Sequence, residues 1–334
     1  MGIKNLKKLI KQHAGGAISD ISLSSLSGKK IAIDSSILLY KYRYHISTDN
    51  FHILGFISKI IELLEFGILP VFIFDGAPPE AKKDTLCKRN TVRENMKERI
   101  NKLKEERSGL PDINVNVDEF IDDCEEVDPE EVEVINKVKK INKEIDQLQK
   151  NILYVNKNHS NEVMEMLETL GIPFLKGISE AEETCAYLQR NGLVDYVLTE
   201  DTDSLAFGAE SVIFGSQLYS LPKILPLLEI NFDQFIDLCI LCGCDFTCTI
   251  PKIGPVNALK LIKKHRSIEN ITTLNYTIPD SFDYNLARSI FKENEKYDLN
   301  IEFCKKEANW SEFNNIKNKW NISEYFDIQL KKLI

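Results

Sequence analysis

The chain repeats one pattern, in which a short run of apolar residues ends abruptly at an acidic residue. Such a run precedes Asp34, another precedes Asp75, and a third leads into the acidic stretch 200–203. These runs are too short for helices and too continuous for strands with one exposed face, so they predict buried strands of a parallel sheet. The predicted strands are 30–33, 70–74, 172–174, 196–199 and 212–214.

Helical patterns fill the intervals between these runs. They cover residues 51–66, 161–170, 180–189 and 232–241. Because predicted strands and helices alternate, we expect an α/β fold with a mostly parallel central sheet flanked by helices. From about residue 270 onward, the aromatic and asparagine-rich sequence has weak periodicity and predicts no definite elements.

Residues 82–150 interrupt this alternation and predict a charged, partly helical insertion. The net charge of the whole chain is −9, but residues 118–133 alone carry ten acids and no base, and without them the chain sums to +1. Residues 82–107 hold ten basic residues against five acidic ones. Since electrostatic attraction is local and is screened beyond about 8–10 Å, the composition is compatible with a surface that binds nucleic acid.

The composition excludes several classes of protein. Hydrophobic residues make up 43% of the chain, so a wholly disordered or fibrous chain is excluded. No apolar run reaches the roughly 18 residues that a membrane span requires, and the N-terminal residues lack an apolar signal core. The eight cysteines are irregularly spaced. We therefore expect an intracellular protein with reduced thiols and no membrane partner.

Seven acidic residues are candidates for one site. Several follow predicted strands, whose carboxyl ends meet at one edge of a parallel sheet. Like charges packed together repel one another and raise their pKa values, so such a cluster requires cations. Mg²⁺ or Mn²⁺ suits a set of oxygen ligands, and two such ions about 4 Å apart would clamp a phosphodiester. The seven acids are Asp34, Asp75, Glu180, Glu182, Asp201, Asp203 and Asp245.

Each of these acids also has a simpler interpretation. An Asp after a strand is often a turn residue or a helix N-cap, and Asp201-Thr202-Asp203 on its own fits a plain loop. Ser179 with Glu182 three residues later fits a capping box, a role that can coexist with metal binding. Four strand-end acids together with two further acidic motifs are hard to explain as turns alone.

Three basic residues follow the second acid of this set. Lys82, Arg89 and Arg93 are spaced by seven and four residues, which predicts that they share one helix face just after Asp75. Cations in that place would stabilise the charge on a scissile phosphate. A solvated amphipathic face is the alternative.

Residues 249–265 are a second candidate for contact with nucleic acid. Pro255 suits the first turn of a helix, and Gly254 would let a backbone phosphate approach the exposed N–H groups. Such a turn grips a duplex without reading its sequence, and a plain helix–helix corner is the alternative.

Four neighbouring cysteines invite an interpretation as a zinc site. They are Cys239, Cys242, Cys244 and Cys248. The first two belong to an apolar helical pattern, and no second ligand pair has zinc-finger spacing, so core thiols are the favoured interpretation.

As an ordered set, these motifs resemble the flap endonuclease/XPG family of structure-specific 5′ nucleases. The similarity covers residues 1–90 and 155–270 in order. The motifs are Met1-Gly2-Ile3, Ile31-Ala32-Ile33-Asp34-Ser35-Ser36, Val71-Phe72-Ile73-Phe74-Asp75-Gly76-x-Pro78-Pro79, Gly171-Ile172-Pro173, Ser179-Glu180-Ala181-Glu182, Thr199-Glu200-Asp201-x-Asp203, Phe235-x-Asp237-Leu238-Cys239-Ile240-Leu241-x-Gly243-x-Asp245 and Ile253-Gly254-Pro255.

The resemblance implies a PIN-like 5′ nuclease core that hydrolyses DNA near junctions of single and double strands. It implies two Mg²⁺ ions per site, for which Mn²⁺ can substitute. Lys82 and Arg89 fall where the family keeps a catalytic Lys and Arg, which act on the phosphate. One ion would be held by Asp34, Asp75, Glu180 and Glu182, and the other by Asp201, Asp203 and Asp245, with some sharing.

The same resemblance implies contacts with DNA. Tyr40 matches a tyrosine on which a base stacks as the substrate end unpairs, and Gly2, once Met1 is removed, would lie near the active site. Arg93 extends the basic face, and Gly254 belongs to a helix-two-turn-helix that binds K⁺ and the duplex backbone. Backbone ligands of K⁺ would be Thr249, Ile250 and Ile253.

These expectations divide the chain into five parts. The insertion becomes a helical arch with an acidic loop, through which a 5′ flap would pass. The parts are an N-terminal nuclease region 1–81, the arch 82–155, an internal nuclease region 156–248, the helix-two-turn-helix 249–270 and a C-terminal helical extension 271–334.

The chain also departs from the family pattern. The 105 positions from Asp75 to Glu180 predict an arch enlarged by the acidic block, and Val256 and Asn257 stand where the family usually has basic residues. The tail carries no recognisable sliding-clamp motif. We expect a monomer that binds DNA with a 5′ flap or another junction, in the nucleus of a eukaryotic cell or at a viral replication site.

Three rival functions stay open at this point. One is a nuclease of the same family for gaps, nicks or four-way junctions, and another is a non-catalytic scaffold that binds DNA junctions. The third is a phosphatase with an aspartyl nucleophile, which needs a second acid two residues after Asp34, where Ser36 stands. Magnesium-dependent turnover would separate an enzyme from a scaffold.

Overall fold

The computed structural model describes residues 2–110, 129–151, 155–292 and 301–334. It divides into two compact units. The first comprises Met1–Lys83 with Val155–Ile334, and the second comprises Asp84–Tyr154. Within the described ranges, every helix is too short or too polar to traverse a bilayer.

A seven-stranded sheet forms the centre of the first unit. Its strands are β1 (Ile18–Asp20), β2 (Lys30–Asp34), β3 (Leu69–Phe74), β4 (Phe174–Lys176), β5 (Tyr196–Leu198), β6 (Ser211–Phe214) and β7 (Gln217–Ser220). The inner strands β6, β5, β2, β3 and β4 are parallel, and β7 and β1 extend the sheet in antiparallel orientation. The predicted mostly parallel sheet is confirmed, whereas β1 and β7 were not predicted.

The chain builds this sheet outward from β2. It passes to β3 and β4 on one side and then returns to β5 and β6 on the other. Ile33 lies opposite Phe72 in β3 and Leu198 in β5, so these three strands end at nearly the same level. A reversal of this kind creates a crevice beyond the carboxyl ends of the strands where it occurs, here β2 and β5.

The described residues form fifteen α-helices. They are α1 (Leu6–His13), α2 (Ser35–His45), α3 (Phe51–Glu65), α4 (Lys83–Ser108), α5 (Pro129–Asn151), α6 (Lys157–Thr169), α7 (Ala181–Arg190), α8 (Asp203–Ala206), α9 (Leu221–Leu228), α10 (Phe232–Cys242), α11 (Pro255–His265), α12 (Ile268–Thr272), α13 (Tyr284–Lys292), α14 (Trp310–Trp320) and α15 (Glu324–Leu333). All except α4 and α5 lie wholly in the first unit.

Alternate residues of the strands enter two separate cores, as the period of two in a strand requires. Ala32 and Val71 belong to a core formed with α1, α7 and α10 to α13. Ile31, Ile33 and Phe72 belong to a second core formed with α3, α6, α14 and α15. The inner strands β2, β3, β5 and β6 therefore pack against both cores, which explains their continuous apolar runs.

Two elements differ from their predicted bounds by more than one residue. The run 172–174 predicted a strand, but β4 begins only at Phe174, because Gly171 adopts a left-handed turn (φ +67°) before it. The helix predicted at 161–170 begins earlier, at Lys157, where Asn156 and His159 form a capping box.

The C-terminal region, for which the sequence predicted no definite elements, packs on the second core. Helix α15 contacts α3, and α14 contacts α6. The Trp320 ring meets the buried His52 ring edge-on at a centroid distance of 4.9 Å. Helical pairing with earlier parts of the chain, rather than local periodicity, stabilises this region.

The second unit contains the helices α4 and α5. Arg99 pairs with Glu144, and Glu106 pairs with Lys137, so the two helices run in opposite directions past one another. Ile100, Leu103, Val138 and Ile141 are its buried apolar residues. Most of the acidic block 118–133 lies outside the described residues.

Candidate active site

Asp34 ends the central strand β2 and also caps the following helix. Its Oδ1 accepts hydrogen bonds from the N–H groups of Ser36 (3.0 Å) and Ile37 (3.3 Å), and its Oδ2 accepts one from the Thr199 hydroxyl (3.1 Å). The side chain is 1% exposed. Burial, with a further contribution from the charge of Asp75, raises the pKa of Asp34 to about 7. The simple interpretation as an N-cap and the site interpretation therefore apply to the same residue.

Asp75 follows β3 and links that strand to helix α7. Its Oδ1 accepts a hydrogen bond from the Ala181 N–H at 2.9 Å, and its Oδ2 accepts one from the Ser36 hydroxyl. This contact holds the N-terminus of α7, with its two acids, beside the ends of β2 and β3. The partial positive charge of a helix N-terminus also favours a carboxylate in this place.

Gly76 makes this approach possible. A Cβ atom on Gly76 would lie 2.2 Å from the carbonyl oxygens of Gly177 and Ile178, so a side chain is excluded there. Its N–H donates to the Ser179 carbonyl at 2.6 Å. The loop after β4 therefore closes directly onto the loop after β3.

The capping box predicted for Ser179 and Glu182 is wrong. Helix α7 begins at Ala181, and its N-cap residue is Glu180, whose side chain makes no capping hydrogen bond. The Asp75 carboxylate, from a distant part of the chain, binds the Ala181 N–H in this first turn. Glu180 is thereby left to face the other acids.

Asp201 and Asp203 follow β5 in a short, ordered turn. The Asp201 N–H donates to the Thr199 hydroxyl oxygen, and the Asp203 N–H donates to Asp201 Oδ1, both at 3.0 Å. Asp203 is 4% exposed, and its Oδ1 is buried without a hydrogen-bond partner. Burial, followed by the charges of Asp201 and Asp245, raises the pKa of Asp203 well above its usual value.

Lys82 reaches into the acid cluster. Its ammonium pairs with Glu180 and lies 3.7 Å from an Asp245 carboxylate oxygen. Burial acts to lower the pKa of Lys82, but Glu180, Glu182 and Asp245 outweigh it and raise that pKa above the usual value. Lys82 therefore stays protonated.

The prediction that Lys82 shares a helix face with Arg89 and Arg93 is wrong. Lys82 is the last residue of a 3₁₀ turn, Glu80–Lys82, and α4 begins only at Lys83. Arg89 and Arg93 lie on α4 in the second unit. Their contacts with a phosphate stay predictions.

The seven acids interact as one electrostatic group. Glu182, in the first turn of α7, shows this most clearly: burial, then the charges of Asp34, Asp201, Glu180 and Asp75, raise its pKa well above the usual value. Burial and two neighbouring acids, Asp75 and Asp245, likewise raise the pKa of Glu180, although Lys82 opposes them. The structure thus brings together acids from five separate stretches of the chain.

The donor set fits hard divalent cations. Among the described residues, no three His, Cys, Asp or Glu side chains already stand close enough to enclose an ion as they are. The converging groups are nevertheless all carboxylates, the ligands that Mg²⁺ and Mn²⁺ prefer, and Asp203 Oδ1 is a buried acceptor that lacks a donor. Mutual repulsion within the group would be relieved by cations.

Gly2 and Tyr40 lie beside these acids. A Cβ atom on Gly2 would stand 1.9 Å from Asp201 Oδ1, so only glycine fits against that carboxylate. Tyr40, 37% exposed, lines a cavity of about 270 Å³ together with Ser36, Asp75 and Lys157. The structure therefore places both residues at the site, while their contacts with DNA stay predictions.

Ser36 and Thr199 hold the acids in place and were not predicted. Each hydroxyl donates to an acid from another strand: Ser36 to Asp75, and Thr199 to Asp34. The sequence feature that could have identified them is that Ser36 and Thr199 each lie two residues from a predicted site acid, Asp34 and Asp201. A sequence cannot show that these hydroxyls reach across to neighbouring strands.

Residues 249–265 form the predicted turn and helix. Gly254 is the N-cap residue of α11, and Pro255 is its first residue, as predicted. Within the turn, the Ile253 N–H donates to the Ile250 carbonyl at 3.2 Å, and Lys252 adopts a left-handed conformation (φ +68°). Binding of K⁺ by Thr249, Ile250 and Ile253 stays a prediction.

The cysteines of α10 belong to the apolar core. Cys239 and Cys242 are free, buried and packed in the first core. Cys244 and Cys248 are partly exposed. The burial of Cys239 and Cys242 agrees with the core-thiol interpretation.

Comparisons with known proteins agree with this geometry. Residues 1–96 match the XPG N-terminal domain, and residues 171–245 match the XPG I-region. The first segment contains Asp34, Asp75 and Lys82, and the second contains the other five acids, so the matched segments meet at the site.

Curated relatives are similar over most of their length. Flap endonuclease 1 of Aedes aegypti is 34% identical over 320 residues, which cover 88% of this chain and 76% of the relative. Flap endonuclease 1 of Glycine max is 35% identical over 319 residues, which cover 88% of this chain and 75% of the relative. Among solved structures, the catalytic core of Rad2 in complex with a DNA substrate superposes with a TM-score of 0.70, at 23% identity, over 100% of this chain and 99% of that one.

Proposed function

The chain belongs to the flap endonuclease/XPG family, and on that premise we propose that it cleaves DNA at junctions of single and double strands with two divalent ions held by its seven converging acids. Its membership makes it a structure-specific 5′ nuclease that acts in DNA processing. The proposal concerns the ions, the residues that hold them and the junction that is cleaved.

One observation supports the proposal above all others. Carboxylates from five stretches of the chain meet at the carboxyl ends of β5, β2 and β3, where the fold forms its crevice. A cluster of this kind has a high electrostatic cost in a protein that holds no cations there. A non-catalytic scaffold for DNA would have no use for it, since carboxylates repel phosphates.

The acids and the lysine have separate roles in this proposal. Asp34, Asp75, Glu180 and Glu182 hold one ion, and Asp201, Asp203 and Asp245 hold the other. When bound, two Mg²⁺ ions activate the attacking water and stabilise the leaving oxygen. The Lys82 ammonium neutralises Glu180 and Asp245 in the free protein. It is available to the scissile phosphate once these acids are otherwise neutralised.

The neighbouring residues position the substrate. Ser36 and Thr199 fix the orientation of Asp75 and Asp34, so these carboxylates keep their places when the substrate arrives. Tyr40 offers an exposed ring at the edge of the site for stacking of an unpaired base. Arg89 and Arg93 add positive charge toward the flap, and the turn 249–254 binds the duplex backbone through K⁺.

The proposed substrate is DNA with a 5′ flap, and the product is a 5′-phosphate on the downstream strand. A protein with this activity works where DNA is replicated or repaired, which in a eukaryotic cell is the nucleus. We propose that it acts as a monomer.

A panel of labelled DNA substrates tests this proposal. Flap, nicked, gapped and four-way DNA are incubated with the protein in Mg²⁺, in Mn²⁺ and in EDTA. We expect cleavage of the 5′-flap substrate at its junction with either ion, and none in EDTA. Cleavage of the four-way substrate in preference to the flap would replace the proposed substrate with the rival of the same family.

Substitution of Asp203 tests the metal assignment. Asp203→Ala removes the buried carboxylate whose Oδ1 lacks a partner, and we expect a loss of cleavage of at least about a thousandfold, while DNA binding is retained. Asp233→Ala, an exposed acid on α10, is the matched control and should cleave normally. Wild-type cleavage by Asp203→Ala would remove Asp203 from the site.

A further inference from the structure

The first helix carries lysines that the proposed active site does not use. Lys8 and Lys11 are three residues apart and therefore lie on one face of α1, and Lys4 precedes the helix. All three side chains are exposed, and in the ranges that the structure describes no carboxylate forms a salt bridge with any of them. Lys7, in contrast, binds Glu200 at 3.2 Å.

Lys4 connects this face to the turn 249–254. Its N–H donates to the Gly243 carbonyl at 3.1 Å. A Cβ atom on Gly243 would lie 3.1 Å from Lys4 Cδ and 2.7 Å from Thr249 Cγ2, so the Lys4 stem and Thr249 flank the same glycine. The lysines of α1 thus begin beside the segment that we propose to bind the duplex backbone.

Helices α1 and α11 are neighbours in one layer. The two helices contact one another, and their apolar faces enter the same core. Each helix also has a polar face that is exposed to solvent. On α11, Lys260 and Lys264 are exposed one turn apart, whereas the start of the helix carries the uncharged Val256 and Asn257.

We propose that Lys4, Lys8, Lys11, Lys260 and Lys264 form one surface, the α1–α11 lysine surface, that binds the phosphate backbone of the duplex arm of the substrate. This inference rests on the proposed function, because it names a second part of the same DNA interface. Most of the positive charge that holds the duplex then comes from α1 and the later turns of α11, not from the helix start at Gly254.

The chemistry of the surface fits a duplex backbone. Lysine ammonium groups are point charges that attract phosphates without reading bases. Lys8 and Lys11 are about 4.5 Å apart along the axis of α1, so both ammonium groups can contact phosphates of one stretch of duplex. Neighbouring lysines of like charge repel one another, so such a row is unfavourable in the free helix and is relieved by an anionic ligand.

The salt dependence of DNA binding tests the surface. Binding of labelled 5′-flap DNA is measured by fluorescence anisotropy with Mg²⁺ in the Asp203→Asn background, between about 50 and 200 mM salt. The test variant is Lys8→Gln/Lys11→Gln. The control, Lys306→Gln/Lys332→Gln, also removes two exposed lysines, of which Lys306 lies beside Gly171 at the opposite end of the strands.

We expect the test variant to bind about tenfold more weakly at the lower salt concentration. The slope of log Kd against log salt should fall by about 2, because each lost phosphate contact removes about 0.9 from the slope. Lys8→Arg/Lys11→Arg should restore both values, and Lys8→Glu/Lys11→Glu should weaken binding further. The control should behave as the Asp203→Asn parent does.

The two proposals fail in different ways. If the wild type cleaves flap DNA but the Lys8/Lys11 variant and the control show the same slope, the surface is assigned wrongly and the proposed function stands. If the test variant loses affinity for an acidic polypeptide but not for DNA, the surface serves a protein partner instead. If the wild type cleaves no junction DNA in Mg²⁺, both proposals fall.

Discussion

Two groups of buried acids in this protein are neutralised in different ways. Asp237 on α10 is 3% exposed, and Arg288 donates to both of its oxygens, from Nε at 2.8 Å and from Nη2 at 2.9 Å. The Ile268 N–H adds a third hydrogen bond at 3.1 Å. At the sheet edge, Asp34 and Asp203 are similarly buried, but the charged groups that act on them are mostly other acids.

The difference separates a structural acid from a functional one. The fold supplies Asp237 with a planar, bidentate partner that satisfies its charge permanently. The seven acids of the site share Lys82, whose ammonium contacts two of them. Asp237 thus has a cationic partner within the fold, whereas we propose that added cations neutralise the seven acids of the site. Removing a charge should therefore have opposite effects on stability in the two places.

The largest expected effect on the free energy of unfolding is at the pair of Arg288 and Asp237. Arg288→Ala leaves Asp237 buried without its partner, and we expect the free energy of unfolding to fall by about 3–5 kcal/mol. Lys292→Ala is the matched control, because its partner Asp233 is 71% exposed, and it should cost less than about 1 kcal/mol. Denaturant unfolding measures the stability of both variants. Equal losses in the two variants would contradict the proposed difference between a buried and an exposed ion pair.

Magnesium should stabilise the folded protein by binding to the seven acids of the site. At about one hundred times its dissociation constant, a bound ion adds about 2.7 kcal/mol to the free energy of unfolding. We expect an increase of this size for the wild type and for Lys292→Ala, and a much smaller one for Asp203→Asn. Thermal unfolding with a Mg²⁺ titration measures it. An unchanged melting temperature in the wild type would argue against an ion site among these acids.

Without ions, neutralising one acid of the site should stabilise the fold. Asp203→Asn removes a negative charge from a buried, acid-rich position, and we expect a gain of about 1–2 kcal/mol in EDTA. Asp233→Asn removes an exposed acid that has a lysine partner and should give no gain. Loss of stability in Asp203→Asn would mean that Lys82 and the backbone already neutralise this carboxylate.

The smallest effect concerns pH. Hydrogen bonds from Arg288 hold the pKa of Glu269 at about 2, below its usual value. Because the folded-state pKa is lowered, the pair stabilises the protein fully above about pH 5 and loses this contribution as the pH falls toward 2. The Glu269 side chain is 47% exposed, so the contribution is under about 1 kcal/mol.

Comparison of the wild type with Glu269→Gln across this range measures that contribution. The difference in the free energy of unfolding should shrink as the pH falls. A difference that grows toward low pH would contradict the assignment of the ion pair.

Local sequence was sufficient for the inner sheet and for the identity of the acids. Strands β2, β3, β5 and β6 are buried on both faces, so their apolar runs are continuous and easy to recognise. Strands β1 and β7 escaped prediction because both are short, and β1 pairs only with β7, about 200 residues away, in the part of the chain that the structure describes. The C-terminal helices escaped it because their stability comes from packing on α3 and α6.

By itself, the sequence determined which residues could carry the chemistry, because an acid directly after a buried strand is visible in the order of the residues. Only the tertiary structure decided how those acids are used. Asp75 binds the Ala181 N–H from 106 positions away, and Lys82 meets Glu180 across 98 positions of the chain. Hydrogen bonding and charge depend on distance and burial in space, and both arise only when the strands align and Gly76 lets two loops close together.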